Sequence, residues 1–320
     1  MYLVIFFILT FLLIKSADFV LDSIRGISRA TGTKTYILSA ILLSIATSLP
    51  ELFVGITSSL SGVPSLSLGN VLGANITNLT LVVGVSALIV GSISIHGKIM
   101  KKEMVMATFA GVMPFLLSID GNLTRVDGLI LLAVYIAFVT SFFKFRFIEI
   151  GSHFFEHNFI LRIVRKINNI ERKTDKSIGK LFVGIAALLF SSDLIVKLAK
   201  MIAGDLNIPM FVVGLVLLSL GTTLPELAVS FRALKIGQPS IFFGNLMGSI
   251  IVNSTLILGI VALINPISSV IVTSEIVTSL FFVLSFILFW FFVRSKNTLE
   301  KWEGATLLGI YLIFIVVQFI

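Results

Sequence analysis

Long apolar runs alternate with short polar stretches along the whole chain. Ten runs stand out, at about 2–24, 35–59, 65–90, 103–119, 126–143, 180–202, 208–231, 240–264, 274–293 and 303–320. Most approach or exceed the roughly 20 residues that a bilayer crossing needs. They predict helices, because a membrane span must satisfy its backbone internally and these runs lack the alternation of barrel strands. The first run, MYLVIFFILTFLLIK, has no basic flank before it and no small-residue cleavage site after it. It therefore reads as a structural helix rather than a leader. One polar stretch is sizeable, 144–179. It reads as a linker; within it FILRIVRKI is amphipathic, with a helix lying on the lipid surface as the alternative.

The runs fall into two copies. SIATSLPEL at 44–52 matches SLGTTLPEL at 219–227, and GNVLGANITN at 69–78 matches GNLMGSIIVN at 244–253. Both matches have an offset of 175, which also pairs Asp18 with Asp193, Gly62 with Gly237 and Pro64 with Pro239. Each copy holds five helices. An odd number sends the second copy into the membrane from the opposite side. The expected fold is therefore an all-α integral membrane protein of ten transmembrane helices in two inverted-topology five-helix repeats. The first repeat is 1–143, the linker 144–179 and the second repeat 180–320. Such inverted repeats characterise secondary transporters, with a site near the midplane where the halves meet.

Composition removes other classes. Apolar residues make up 57% of the 320 and charged residues 12%; mean hydropathy is +1.10. That is about half the charge of a soluble domain, so soluble enzymes and nucleic-acid binders are excluded. No nucleophile–base pair or phosphate loop points to an enzyme, and nothing implies a cofactor. There is no cysteine, so no disulfide or thiolate site exists. His96, His153 and His157 all lie in connecting stretches. The net charge of +8 is a matter of placement. Loops after odd-numbered runs, with the span edges beside them, hold 20 of the Lys and Arg residues, and loops after even-numbered runs, with the last turns of those runs, hold 3. This predicts odd loops and the 144–179 linker in the cytoplasm, with both termini outside.

Ionisable groups inside the spans mark function by default. Asp18, Glu51, Asp193 and Glu226 are the clear cases. Ser44, Thr47, Ser48 and Glu51 share one helical face, and Ser219, Thr222, Thr223 and Glu226 repeat it. An all-oxygen stripe suits hard cations such as Na⁺ and Ca²⁺. Pro50 and Pro225 precede the glutamates. A proline cannot donate to the preceding turn, so carbonyls around 44–47 and 219–222 should be partly released. Asn70, Ala74 and Asn78 form an i, i+4, i+8 row, repeated by Asn245, Ser249 and Asn253. Asn78 and Asn253 read as site residues. Asn70, Asn75 and Asn245 read equally as helix-packing groups. Asp18 and Asp193 read as structural or access-path residues, Asp18 with Lys15 in reach at i,i+3.

A-T-S-L-P-E and G-T-T-L-P-E, each followed by G-N-x-x-G-[AS]-x-x-x-N, resemble the two α-repeats of the sodium/calcium exchanger family of cation/calcium antiporters. The resemblance covers essentially the whole chain. It implies exchange of Na⁺ for Ca²⁺ by alternating access in the cell membrane. Carried over, the calcium ligands are Glu51, Glu226, Thr47 and Thr222. Sodium ligands are Ser44, Thr47 and Ser48 with Glu51 on one side, and Ser219, Thr222, Thr223 and Ser249 with Glu226 on the other. Asn78 and Asn253 complete the centre. The chain departs from the family at three places. Ala46 replaces a glycine, Ala74 stands where the second copy has Ser249, and Asn253 stands where potassium-dependent relatives carry aspartate. The last argues against potassium dependence. Partners are the two ions and the bilayer, with no nucleic acid, and the expected unit is a monomer. Proton/cation antiport on the same glutamates and a cation channel are the alternative readings.

Overall fold

In a computed structural model, residues 2–31, 44–94, 98–149, 173–268, 272–296 and 298–318 are described. The described helices are α1 (Tyr2–Thr31), α2 (Leu49–Leu60), α3 (Pro64–Val90), α4 (Lys98–Leu117), α5 (Arg125–Glu149), α6 (Lys173–Leu206), α7 (Met210–Lys235), α8 (Pro239–Ile264), α9 (Val272–Lys296) and α10 (Lys301–Val317). Residues 44–47 form a helical turn before α2. Among the described residues, five segments are long and apolar enough to cross a membrane: Pro64–Val90, Phe182–Leu206, Met210–Lys235, Pro239–Ile264 and Ile276–Arg294. Their outward faces carry large exposed apolar side chains, such as Phe182 and Phe190 on α6 and Leu280, Ile287 and Phe291 on α9. Apolar surface on that scale belongs in lipid.

Several helices outrun the apolar runs that announce them. α1 continues to Thr31, α5 to Glu149, and α6 begins at Lys173. Hydropathy marks only the lipid-crossing part of a helix, and polar turns continue it. The stretch read as a linker is thus helical at both described ends. Its FILRIVRKI segment, and all three histidines, lie outside the described residues. The fold is all-α as expected, with one small addition among the described residues. Four two-residue strands occur, β1 (Ile93–Ser94), β2 (Asn122–Leu123), β3 (Ile267–Ser268) and β4 (Thr298–Leu299). They pair antiparallel as β1 with β4 and β2 with β3. Strands this short carry no period-2 signal a sequence could show.

Each strand pair takes one member from each half, and close helix contacts follow suit. A Cβ on Gly84 of α3 would lie 2.7 Å from the Gly304 carbonyl of α10. One on Gly128 of α5 would lie 2.9 Å from the Gly259 carbonyl of α8. Glycine is needed at both because backbone meets backbone. The two contacts are images of each other under the repeat.

Apolar packing divides in two. The larger cluster joins α3, α4, α5, α7, α8, α9 and α10 through residues such as Leu72, Leu131, Phe243, Leu258, Phe286 and Leu307. The second joins α1 to α6 through Phe6, Leu13, Val20, Leu188, Ile195 and Ile202, with Leu49, Leu66 and Val213 along its inner edge. α1 and α6 thus form a panel laid against the rest. Among the described bonds, the panel is tied to α2 by Thr57 Oγ1 and Ser192 Oγ at 2.9 Å and by Lys200 Nζ donating to Ser61 O at 2.8 Å.

Candidate ion-binding site

Both motif segments break at the residue before L-P-E. Ser48 and Thr223 leave the helical path, and a new helix starts at Leu49 and at Leu224, with Pro50 and Pro225 in its first turn. Proline is tolerated there because its missing N–H would be unpaired anyway. The break points the first turns of α2 and of the second part of α7 inward. Glu51 and Glu226 sit in those first turns, both 0% exposed. Unpaired N–H groups and the positive dipole end of a helix favour carboxylates there.

Within the two stretches expected to hold partly released carbonyls, one carbonyl in each is bonded. Ser44 O accepts from Ser48 N at 3.1 Å and from Thr47 Oγ1 at 3.3 Å. Ser219 O accepts from Thr223 N at 3.1 Å and from Thr223 Oγ1 at 2.7 Å. The hydroxyls bond back and occupy these two carbonyls. The carbonyls a proline truly deprives lie four residues before it, at Ala46 and Gly221.

Helices α3 and α8 supply the rest of the wall. Each turns into a π-helical stretch at its central asparagine, Asn78–Val82 in α3 and Val252–Ile257 in α8. Such bulges widen a helix locally and recur at functional sites. Gly73 and Gly248 let the motif segments in. A Cβ on Gly73 would lie 2.7 Å from Ser219 Oγ, and one on Gly248 would lie 2.6 Å from Ser44 Oγ. The motif turn of each half therefore lies against the asparagine helix of the other.

Hydrogen bonds follow the same exchange. Thr47 Oγ1 donates to Asn245 Oδ1 at 3.2 Å and lies 3.4 Å from Ser249 Oγ. Thr222 Oγ1 donates to Asn70 Oδ1 at 3.1 Å. Ser249 thus stands beside the first-half threonine rather than grouping with the second-half motif. That contact crosses from one half to the other, because the halves interlock. Asn70 and Asn245, read equally as packing groups, position the motif threonines. Asn75 accepts from Asn253 Nδ2 at 3.3 Å and donates to Ser254 Oγ at 2.7 Å. Ser254 carried no signal, since its counterpart in the first half is Leu79.

All eleven predicted residues are buried: Ser44, Thr47, Ser48, Glu51 and Asn78, with Ser219, Thr222, Thr223, Glu226, Ser249 and Asn253. The two carboxyl groups feel each other's charge, with the Thr222 hydroxyl near Glu51 and those of Thr47 and Ser48 near Glu226. None of these approaches closes a hydrogen bond of normal geometry. All four carboxyl oxygens, both amide atoms of Asn78, Asn253 Oδ1 and Ser48 Oγ have no hydrogen-bond partner among the described residues. Buried polar atoms are otherwise almost always paired. No Lys, Arg or His side chain is buried among the described residues. A ring of unpaired oxygens around two acids fits a hard cation.

Asp18 and Asp193 lie elsewhere. Lys15 Nζ is 3.5 Å from Asp18 Oδ2, as the i,i+3 spacing predicts, and Lys197 Nζ is 2.7 Å from Asp193 Oδ2. Both pairs are exposed on the α1–α6 panel, away from the buried centre.

Interlocked apolar helices with two buried acids at their crossing define a multi-pass membrane protein of the ion-exchanger class. The sodium/calcium exchanger protein family matches residues 1–144 and 176–320, and the chain belongs to that family. It is 30% identical to the sodium/calcium exchanger MaX1 of Methanosarcina acetivorans, over 96% of this chain and 95% of that one. It is 28% identical to the inner membrane protein YrbG of Escherichia coli, over 80% and 77%. Its fold is similar to that of the sodium–calcium exchanger NCX_Mj soaked with 2.5 mM Na⁺ and 1 mM Sr²⁺, with TM-score 0.63, 27% identity, and 99% and 98% of the chains covered.

Proposed function

We propose that this protein is a secondary antiporter that exchanges Na⁺ for Ca²⁺ across the cell membrane by alternating access. One observation carries the reading: two buried carboxylates, Glu51 and Glu226, whose four oxygens have no hydrogen-bond partner among the described residues. The family and the names of relatives, one called a sodium/calcium exchanger and another studied with Na⁺, Ca²⁺ and Sr²⁺, support it.

The reading takes ten transmembrane helices in two inverted repeats, 1–143 and 180–320, joined by the cytoplasmic linker 144–179, with both termini outside. It takes the monomer as the working unit. The exchanged strand pairs and the paired glycine contacts support the inverted relation. The Ca²⁺ ligands are Glu51 and Glu226 with Thr47 and Thr222. Ser44, Ser48, Ser219, Thr223 and Ser249 extend the set for Na⁺, and Asn78 and Asn253 complete the centre.

Coupling follows from charge. Two carboxylates are neutralised by one Ca²⁺ or by two Na⁺, and a third Na⁺ leaves one positive charge. The ions therefore compete for the same oxygens. A bare pair of buried charges is costly, so closure over an empty site is disfavoured and leak is suppressed. The α1–α6 panel is the moving part. Its contact with the rest is largely apolar, and apolar attraction has no direction, so sliding keeps most of its energy.

The test is ⁴⁵Ca²⁺ uptake into proteoliposomes under an imposed Na⁺ gradient and, separately, under an imposed pH gradient. Uptake driven by outward Na⁺ supports the reading. Uptake driven by pH alone replaces it with proton/Ca²⁺ exchange on the same glutamates.

A further inference from the structure

An apolar groove opens on the outer face between α4 and α9. Its larger part, about 450 Å³, runs between Val105, Phe109 and Val112 of α4 and Val283 and Ile287 of α9. A second part, about 320 Å³, continues from Ile287 past Trp290 to Arg294. The two parts share Ile287 and Trp290, so they form one channel along the surface. Its inner end closes where Gly111 of α4 meets the Phe282 ring. Rings of Phe282, Phe286 and Phe289, with centroids 5.6 Å and 6.4 Å apart in sequence, stiffen α9 behind it.

The groove has a length and a polarity. Val283 and Arg294 are eleven residues apart, about 16 Å at the helical rise of 1.5 Å per residue. That is about half of a hydrocarbon core of roughly 30 Å, or one leaflet. At its mouth the Arg294 guanidinium lies over the Trp290 ring, 5.7 Å from its centroid. Tryptophan at that level marks the membrane–water interface. No carboxylate pairs with Arg294 among the described salt bridges. The sequence gathers more positive charge at the same end: Lys98, Lys101 and Lys102 begin α4, and Lys296 ends α9.

The geometry points to a binding site for an anionic phospholipid. One acyl chain lies between α4 and α9, and Arg294 takes the headgroup phosphate. The guanidinium is already held over Trp290, and its fork matches two phosphate oxygens. The length of the groove selects a single chain of one leaflet, and the cluster of basic residues selects a negative headgroup. The site is remote from Glu51 and Glu226 and does not depend on which ions are exchanged.

Trp290 is its own probe, because the chain has only two tryptophans, Trp290 and Trp302. The experiment reconstitutes the Trp302→Phe protein in phosphatidylcholine vesicles containing either brominated phosphatidylglycerol or brominated phosphatidylcholine at matched mole fractions. Quenching of Trp290 reports occupancy of the groove. Brominated phosphatidylglycerol should reach half-maximal quenching at about a fivefold lower mole fraction, as one basic group at an anionic surface supplies. Arg294→Gln should erase that preference, and Arg294→Lys should keep most of it. If Trp302→Phe does not fold, the same comparison runs on the two-tryptophan protein with Arg294→Gln as its reference. Equal quenching by the two lipids overturns the proposal. So does a preference that survives Arg294→Gln. Quenching by neither lipid overturns it as well, and would mean that another copy of the chain covers the groove.

Discussion

Helices α3 and α8 are copies of one element, and the centre of the molecule treats them differently. Both bring an asparagine to the motif threonine of the other half, Asn70 to Thr222 and Asn245 to Thr47, at 3.1 Å and 3.2 Å. Both carry a π-bulge at their last asparagine. There the likeness stops. Asn253 is held through its amide nitrogen by Asn75, which leaves its oxygen unpaired, while neither amide atom of Asn78 has a partner. Asn75 stands where the second copy has Ile250, and Ser254 where the first has Leu79. Under the proposed exchange by alternating access, the symmetric contacts are those that both access states would use. The asymmetric ones sit on the α3–α8 seam and fix one half more firmly than the other. An exchanger built from near copies can thus keep equivalent gates while giving its two sides unequal ligands.

The comparison presupposes that the halves are inverted, and the largest expected effect tests that. The chain has no cysteine, so a single introduced one is a unique label site. Cysteines at Ser152 and Gln238 should react only from the cytoplasmic side, and one at Asp120 only from outside, an all-or-none contrast. Labelling of positions 120 and 152 from one side breaks the inversion.

Next in size are the acids, where the halves should behave alike. Glu51→Gln or Glu226→Gln leaves a Ca²⁺ ion with one carboxylate. The lost Coulomb attraction amounts to several kcal/mol at moderate effective dielectric. Either variant should reduce ⁴⁵Ca²⁺ uptake by more than a hundredfold and still purify as a monodisperse protein. Near-normal uptake in one of them would show that the two carboxylates are not equivalent.

Much of this was readable from the residues alone. Buried acids, hydroxyls at helical spacing and a repeat at one offset marked Glu51, Glu226 and their neighbours, because each is a local pattern that recurs. The pairing across halves was not readable. Nothing in the sequence says that Ser249 meets Thr47, since that contact exists only after the halves interlock. The proline marks a stretch of carbonyls, 44–47, and does not say which of them stays free; the Ser48 amide and the Thr47 hydroxyl use that of Ser44. Asn75 and Ser254 have unlike counterparts, Ile250 and Leu79, so comparing the copies could not bring them together, although Asn75 stood out as an amide inside a span.

Asn75 therefore supplies the sharper test. Asn75→Leu keeps the branched shape and the number of side-chain heavy atoms and removes both bonds, leaving the Asn253 amide and the Ser254 hydroxyl buried without these partners. An unpaired buried polar group costs about 1–3 kcal/mol. The melting temperature should fall by several degrees, and Ca²⁺ affinity should weaken about tenfold as Asn253 loses its fixed orientation. Asn78→Leu loses no such bond and should leave the melting temperature unchanged or raised while still weakening Ca²⁺. Equal thermal losses in the two variants would mean that the seam is not asymmetric in energy.

The smallest expected effect comes from Ala74 and Ser249, equivalent at offset 175, of which only Ser249 offers a hydroxyl. The structure puts Ser249 against Thr47, so the equivalent Ala74 faces the Thr222 side, which lacks that oxygen. A neutral ligand contributes about 1 kcal/mol net, roughly fivefold in affinity. Ala74→Ser should strengthen Na⁺ competition against Ca²⁺, and Ser249→Ala should weaken it. The carboxylates are untouched in both, so Ca²⁺ affinity without Na⁺ should stay within about twofold. Position 74 is 0% exposed, so the new hydroxyl must find a partner. The carbonyl one turn earlier is available to it by helical back-bonding, which would turn the oxygen's lone pairs toward the site. Ca²⁺ titration at several Na⁺ concentrations in the three proteins measures all of this. If Ser249→Ala weakens Na⁺ competition while Ala74→Ser leaves it unchanged, another oxygen already fills the position beside Thr222. If neither substitution moves it, sodium is held by the motif turns alone, and the contrast between α3 and α8 serves packing rather than ion choice.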